Sequence, residues 1–112
     1  MRRGDVYDAR IDHDQGIQQA GVEPVVIVSR DAINFYSSIL VVVPVIVAGS
    51  QNHNFPNQVP LRRGEGGLEV DSIAVAGQLF AMPKENLLQQ RGTLPAERMA
   101  ALDQALRVTL DL

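Results

Sequence analysis

Ile39-Leu40-Val41-Val42-Val43-Pro44-Val45-Ile46-Val47 decides the fold. The run carries no charge, is dominated by β-branched residues, and is far shorter than the roughly 20 residues a membrane-spanning helix needs. It reads as a strand covered on both faces. Pro44 has no N–H for a sheet ladder, so a bulge or a sheet edge is expected there. Working outward, Pro24-Val25-Val26-Ile27-Val28-Ser29 has the same character. It predicts a second strand covered on both faces. Asp5 to Ile11 makes another strand, and the polar stretch from Asp12 to Glu23 connects the two.

Between these strands, Arg30 to Phe35 can form one helical turn, with Ser29 or Asp31 as N-cap. Ala48 to Asn57 is full of turn formers and lacks periodicity, which predicts a long surface loop. Val59-Pro60-Leu61 and Leu68 to Val70 read as short strands around a glycine-rich hairpin turn, Arg62-Arg63-Gly64-Glu65-Gly66-Gly67. Ile73 to Leu79 is a further strand. Pro83 opens a brief helical segment with Leu87 and Leu88 inward, and Pro95 starts a last helix. In that helix Met99, Leu102, Leu106 and Thr109/Leu110 form the apolar stripe. The expected fold is mainly β (α+β): a small, strongly bent antiparallel sheet or barrel with short helices and one C-terminal helix, as one domain over residues 1–112.

The chain of 112 residues has no cysteine, which excludes disulfide frameworks, thiol nucleophiles and thiolate zinc sites. A net charge of -3 means that any contact with a phosphate backbone must be local. Met1-Arg2-Arg3-Gly4-Asp5 is basic but lacks the apolar core of a signal peptide, so a cytoplasmic protein without membrane contact is expected. His13 and His53 could cleave RNA as a base and acid pair, but loop histidines are usually just solvated. His13 beside Asp12 and Asp14 lacks metal-ligand spacing, so neither metal nor cofactor is expected. The Arg62–Gly67 turn is followed by Leu68-Glu69, not by the Lys-Ser/Thr pair that a Walker loop needs.

Arg3-Gly4-Asp5-Val6-Tyr7, Gln19-Ala20-Gly21-Val22 and Pro24 to Ser29 resemble the start of the MazF/PemK toxin family. The series continues through Val41-Val42-Val43-Pro44, Glu65-Gly66-Gly67-Leu68, Val70-Asp71-Ser72, Gln78, Leu87-Leu88, Gly92 and Ala101 to Leu106. The resemblance spans nearly the whole chain. It implies an SH3-like barrel of the MazF/PemK/CcdB type that works as a homodimer, cleaves single-stranded RNA without a metal, and is silenced by a cognate antitoxin peptide. In the family's chemistry a ribose 2′-hydroxyl attacks the adjacent phosphate, leaving a cyclic phosphate and a 5′-hydroxyl. An arginine just before the second-strand proline and a threonine after the third-strand proline serve that step.

The resemblance fails at those positions. Glu23 stands before Pro24 where the family has its catalytic arginine, and Ile46 stands where it has its threonine. Gln18 replaces the usual first-loop glutamate, and Gly77 and Phe80 replace the Glu and Arg around Gln78. By analogy the RNA groove would comprise Gln18, Gln19, Gln78, Phe80, Arg62 and Arg63. A guanidinium offers a permanent charge and a donor fork shaped for phosphate, and a carboxylate reverses that sign. Losing one transition-state donor costs roughly a hundred- to a thousandfold in rate. Impaired or altered RNA cleavage is therefore expected. Alternatives are a non-catalytic module for an antitoxin-type peptide, or an enzyme of changed specificity that recruits Glu23, His53 or Gln78.

Overall fold

The computed structural model describes residues 1–11, 21–49 and 55–112. In chain order the described elements are β1 (Asp5–Ile11), β2 (Gly21–Ile27), α1 (Asp31–Tyr36), β3 (Ile39–Val47), β4 (Gln58–Leu61), β5 (Ser72–Val75), β6 (Phe80–Pro83), β7 (Leu87–Thr93) and α2 (Ala96–Leu110). Single 3-10 turns lie at Glu65–Gly67, Ala76–Gln78 and Lys84–Asn86. The strands form one antiparallel sheet in the order β4-β5-β3-β2-β1-β7, with β6 also paired to β3. The mainly-β fold with a closing C-terminal helix is the one expected. The sheet wraps around its core without closing, since β4 and β7 stand at opposite ends of the order.

Alternation along the two apolar strands explains why both faces are covered. Val26, Val28, Val43 and Val45 point into a main core with Val6, Leu61, Leu68, Leu94 and Leu102. Their neighbours Val25, Ile27, Leu40 and Val42 enter a second core with Ala9, Ile11, Met82 and Leu87. Period-two side chains in a continuous apolar run must feed two hydrophobic compartments, because each strand has two faces. The C-terminal helix lies on the main core. Its Leu102 and Ala105 are buried there, and Met99 and Leu106 pack against the same cluster. Truncating Leu102 to Ala would cost roughly 2–5 kcal/mol, as expected for a fully buried leucine.

Pro44 is neither at a bulge nor at an edge. It is buried in the middle of β3 and opposite Val25 of β2. On the other side of β3, pairing to β6 ends at Val42 and pairing to β5 begins at Val45. The missing N–H therefore falls where one partner strand hands over to the next. Leu68 to Val70 is not a strand; after the Glu65–Gly67 turn it runs irregularly into β5. The expected strand from Ile73 to Leu79 is cut at Val75 by the Ala76–Gln78 turn. Strand β7 occupies the segment after the 3-10 turn at Lys84–Asn86, with Leu87 buried but Leu88 exposed.

Neither expected residue caps α1. Ser29 donates its hydroxyl to Asn34 Oδ1 and accepts from the Val41 N–H at 3.1 Å, tying α1 to β3. Asp31 Oδ1 accepts from the Arg3 backbone N–H at 2.7 Å and from Asn34 Nδ2 at 3.2 Å. Arg3 also donates from Nη2 to Asp103 of α2 at 2.6 Å. The chain start thus bridges both helices. The Arg3 N–H is the main reason the Asp31 carboxyl is held below its ordinary pKa.

Candidate functional site

The pairing of β2 with β3 places Val25 opposite Pro44. Two residues beyond that pair, Glu23 and Ile46 come to the rim of the sheet. They line one cleft of about 160 Å³, walled by Val45, Leu68, Glu69 and Arg91 among others. Two positions far apart in sequence therefore share one hollow. Ile46 offers only methyl groups there, and Glu23 is half-buried.

Arg91 is the cation of this cleft, and it was not anticipated. Its Nε donates to Asp8 Oδ1 at 2.6 Å and its Nη1 to the Gly67 carbonyl at 3.2 Å. Nη2 lies 3.8 Å from Glu69 Oε1. All three guanidinium nitrogens are thus directed at groups of the protein itself. With Glu23, Glu69 and Asp8 around it, the charge balance among these described residues is negative, which repels a phosphate. No local signal marks Arg91, because its main partner is 83 residues away and the β1–β7 register slips between Val6 and Tyr7. That slip sets Tyr7 opposite Gln90 and Val6 opposite Gly92, so Arg91 has no partner in the ladder.

The glycine-rich turn serves the same clasp. Gly67 has a φ of +74°, and a Cβ on it would collide with the Arg91 carbonyl oxygen. Only glycine allows the turn to press against β7 while presenting its own carbonyl to the guanidinium. At Gly67 the turn is a structural contact to β7.

The other groove residues are separated from this cleft. Phe80 opposes Val42 and packs on the second core. Gln78 is exposed at the end of the Ala76–Gln78 turn. At Gly77 a Cβ would come within 2.5 Å of Asn57 Nδ2, the end of a side chain that can move aside. Arg62 lines a second, neighbouring cavity of about 520 Å³ with Arg98, Phe55, Gln58, Pro60, Asp71 and Ile73. Arg63 is exposed, and its backbone N–H donates to Asp71 Oδ1 at 2.9 Å. Gln18, Gln19, His13 and His53 lie outside the described residues.

Glu65 organises the approach to the second cavity. Its Oε1 accepts from the Arg62 N–H at 2.7 Å, and both its oxygens accept from Arg98 Nε at 3.0 Å. These contacts, the Arg62 N–H foremost, hold its carboxyl below the ordinary glutamate range. Among the described residues no cluster of His, Asp or Glu is arranged to hold a metal ion, and no helix is long and apolar enough to cross a membrane.

Comparison with known proteins places the chain. Residues 2–110 match the family described as PemK-like, MazF-like toxin of type II toxin-antitoxin system. The endoribonuclease MazF of Staphylococcus epidermidis is 35% identical over 112 residues, which cover 100% of this chain and 92% of that protein. Among solved structures, a mycobacterial endoribonuclease in complex with its cognate antitoxin superposes with a TM-score of 0.82 at 21% identity, covering 100% of this chain and 96% of that one. MazF from Deinococcus radiodurans gives 0.79 at 20% identity, covering 100% and 97%. With a family match over nearly its whole length and a fold to agree with it, the chain belongs to the PemK/MazF-like toxins of type II toxin-antitoxin systems.

Proposed function

We propose that this chain is a toxin-family homologue whose cleft keeps the family's shape while its metal-independent cleavage of single-stranded RNA is impaired. The meeting of Glu23 and Ile46 in one cleft, beside a guanidinium whose Nε and Nη1 are already hydrogen-bonded within the protein, carries the reading. In the family reaction the attacked phosphate gains charge as the 2′-oxygen bonds to phosphorus and the 5′-oxygen leaves. Donors aimed at that charge supply most of the rate. Here Glu23 repels the charge, Ile46 donates nothing, and Arg91 must release Asp8 before it can help.

Purified protein incubated with mixed single-stranded RNA in the presence of a chelator tests this. Little or no cleavage is expected. Robust cleavage leaving 5′-hydroxyl ends overturns the impairment, and alanine variants of Glu23, Gln78 and His53 then identify any recruited group. The protein acts in the cytoplasm as a homodimer, held by a cognate antitoxin. Support for a dimer comes from Ile33, Phe35, Tyr36 and Ile39, large apolar side chains left exposed along α1 and the start of β3. Most of β3 itself is buried, whereas Val108 and Leu110 are exposed at the end of α2. Sedimentation as a monomer at micromolar concentration overturns the dimer.

A second reading, a non-catalytic module for an antitoxin-type peptide, is favoured by the acidic cleft. Glu23 and Glu69 together suit a basic side chain of a peptide better than a phosphate. Tight binding of such a peptide without RNA affinity would decide for it.

A further inference from the structure

Beside the cleft, the larger cavity of about 520 Å³ is of a size that takes a small organic ligand. Its floor continues the cleft. Pro60 on β4 opposes Ile73 on β5, and Ile73 in turn opposes Ile46 on β3. Directly opposed residues of antiparallel strands share a face, so Pro60, Ile73 and Ile46 form one apolar row leading from the cavity to the cleft. Ser72 lines both hollows. Phe55, 52% exposed, stands on the rim of the larger one.

The guanidiniums here differ from Arg91. The Arg62 side chain makes no hydrogen bond or salt bridge to any described residue; only its backbone N–H is engaged, by Glu65. Arg98 commits Nε to Glu65, while its terminal nitrogens bond no described residue. Two forks of phosphate donors thus border a flat apolar floor with an aromatic rim, the combination that takes a phosphate and the face of an attached base. Gln58 and Asp71 stand on the same walls with a donor and acceptors for a base edge.

We propose that this cavity is a flanking-nucleotide subsite, in which Arg62 and Arg98 hold a phosphate of single-stranded RNA and the Pro60–Ile73 floor takes the attached base. The assignment rests on the reading of the neighbouring cleft as a degenerate RNA cleft. It moves phosphate affinity across the sheet from Glu23 on β2 to the β4–β5 end, onto the Arg62 guanidinium and the terminal nitrogens that Arg98 keeps beside its bond to Glu65.

The test uses the full chain, labelled with nitrogen-15, titrated with a short mixed-sequence single-stranded RNA at low salt. Affinities of Arg62→Ala, Arg62→Lys and Phe55→Ala are measured by fluorescence anisotropy. Shifts at the Arg62 and Ile73 amides are expected, with about a tenfold affinity loss in Arg62→Ala and a salt slope lower by about 0.7. Arg62→Lys should keep most of the affinity. Because the Arg62 N–H contact to Glu65 survives in these variants, folding is retained, and thermal melting checks it. Shifts confined to Glu23, Ile46 and Arg91, with Arg62→Ala binding as wild type, overturn the subsite and leave the RNA reading intact. Shifts at Arg62 and Ile73 alone support the subsite and remove RNA from the cleft. A response at these amides to an acidic peptide but not to RNA overturns the nucleotide assignment in favour of a peptide. No response to RNA at either hollow overturns both readings.

Discussion

Two hollows on one sheet share Ser72, and Arg91 on the wall of one and Arg62 on the wall of the other are treated in opposite ways. Arg98, also on the larger one, is tied through Nε to Glu65. In the cleft, Arg91 is bound by Asp8 and the Gly67 carbonyl and faced by Glu69. In the larger cavity, the Arg62 guanidinium makes no hydrogen bond or salt bridge with a described residue and only feels the charge of the nearby Glu65 carboxylate. A cation near a candidate site therefore says little until its own partners are known. A guanidinium that must first give up a 2.6 Å carboxylate contact stabilises little charge on a ligand, whereas an unengaged one stabilises it at once.

The largest test of that contrast is Glu23→Arg combined with Ile46→Thr. Introducing a cation and a hydroxyl in the cleft should raise RNA cleavage at least about a hundredfold over the parent chain, measured as the initial rate on a fluorogenic RNA. No gain would mean that other features of the cleft block the reaction. Gly67→Ala attacks the clasp instead. A side chain at this positive φ, pressed on the Arg91 carbonyl, should lower stability by about 2–4 kcal/mol in urea melts.

Asp8→Ala makes the two hollows more alike by releasing Arg91. It should cost about 1 kcal/mol of stability, since both side chains are roughly a quarter exposed, and should raise RNA affinity a few-fold by anisotropy. Unchanged affinity would show that Glu23 and Glu69 alone keep RNA out.

The smallest effect is on pH dependence. Glu65 and Asp31 have folded pKa values below those of the free carboxyls. Their contribution is therefore present above the unfolded pKa, near 4.5 for Glu65, and fades as pH falls through the folded value. The decline of Tm below about pH 4.5 should be shallower in Glu65→Gln than in the parent chain. An equally steep decline would assign the acid sensitivity to other carboxylates.

The central strands were legible because Val25 to Val28 and Val41 to Val47 leave no polar face, and a strand without a polar face has to be interior. The last helix was legible from its stripe, of which Leu102 is buried as read. Strands β6 and β7 were not. Phe80–Pro83 holds one buried residue, Met82, and Leu87–Thr93 is mostly polar, so neither carries an apolar period of its own. Both are strands because β3 and β1 offer unpaired edges to them. Long-range pairing overrode weak local preference.

The order of apolar strands, the glycine positions and the presence of Glu and Ile at positions 23 and 46 are properties of the sequence itself, since each depends on residue type and near neighbours. That Glu23 and Ile46 meet in one cleft, that Arg91 is clasped by a carboxylate 83 residues away, and that Arg62 faces a different hollow were decided only by the tertiary structure. The reason is electrostatic and geometric: the chemical worth of a charged side chain is set by which groups surround it in space, and those come from strands distant along the chain.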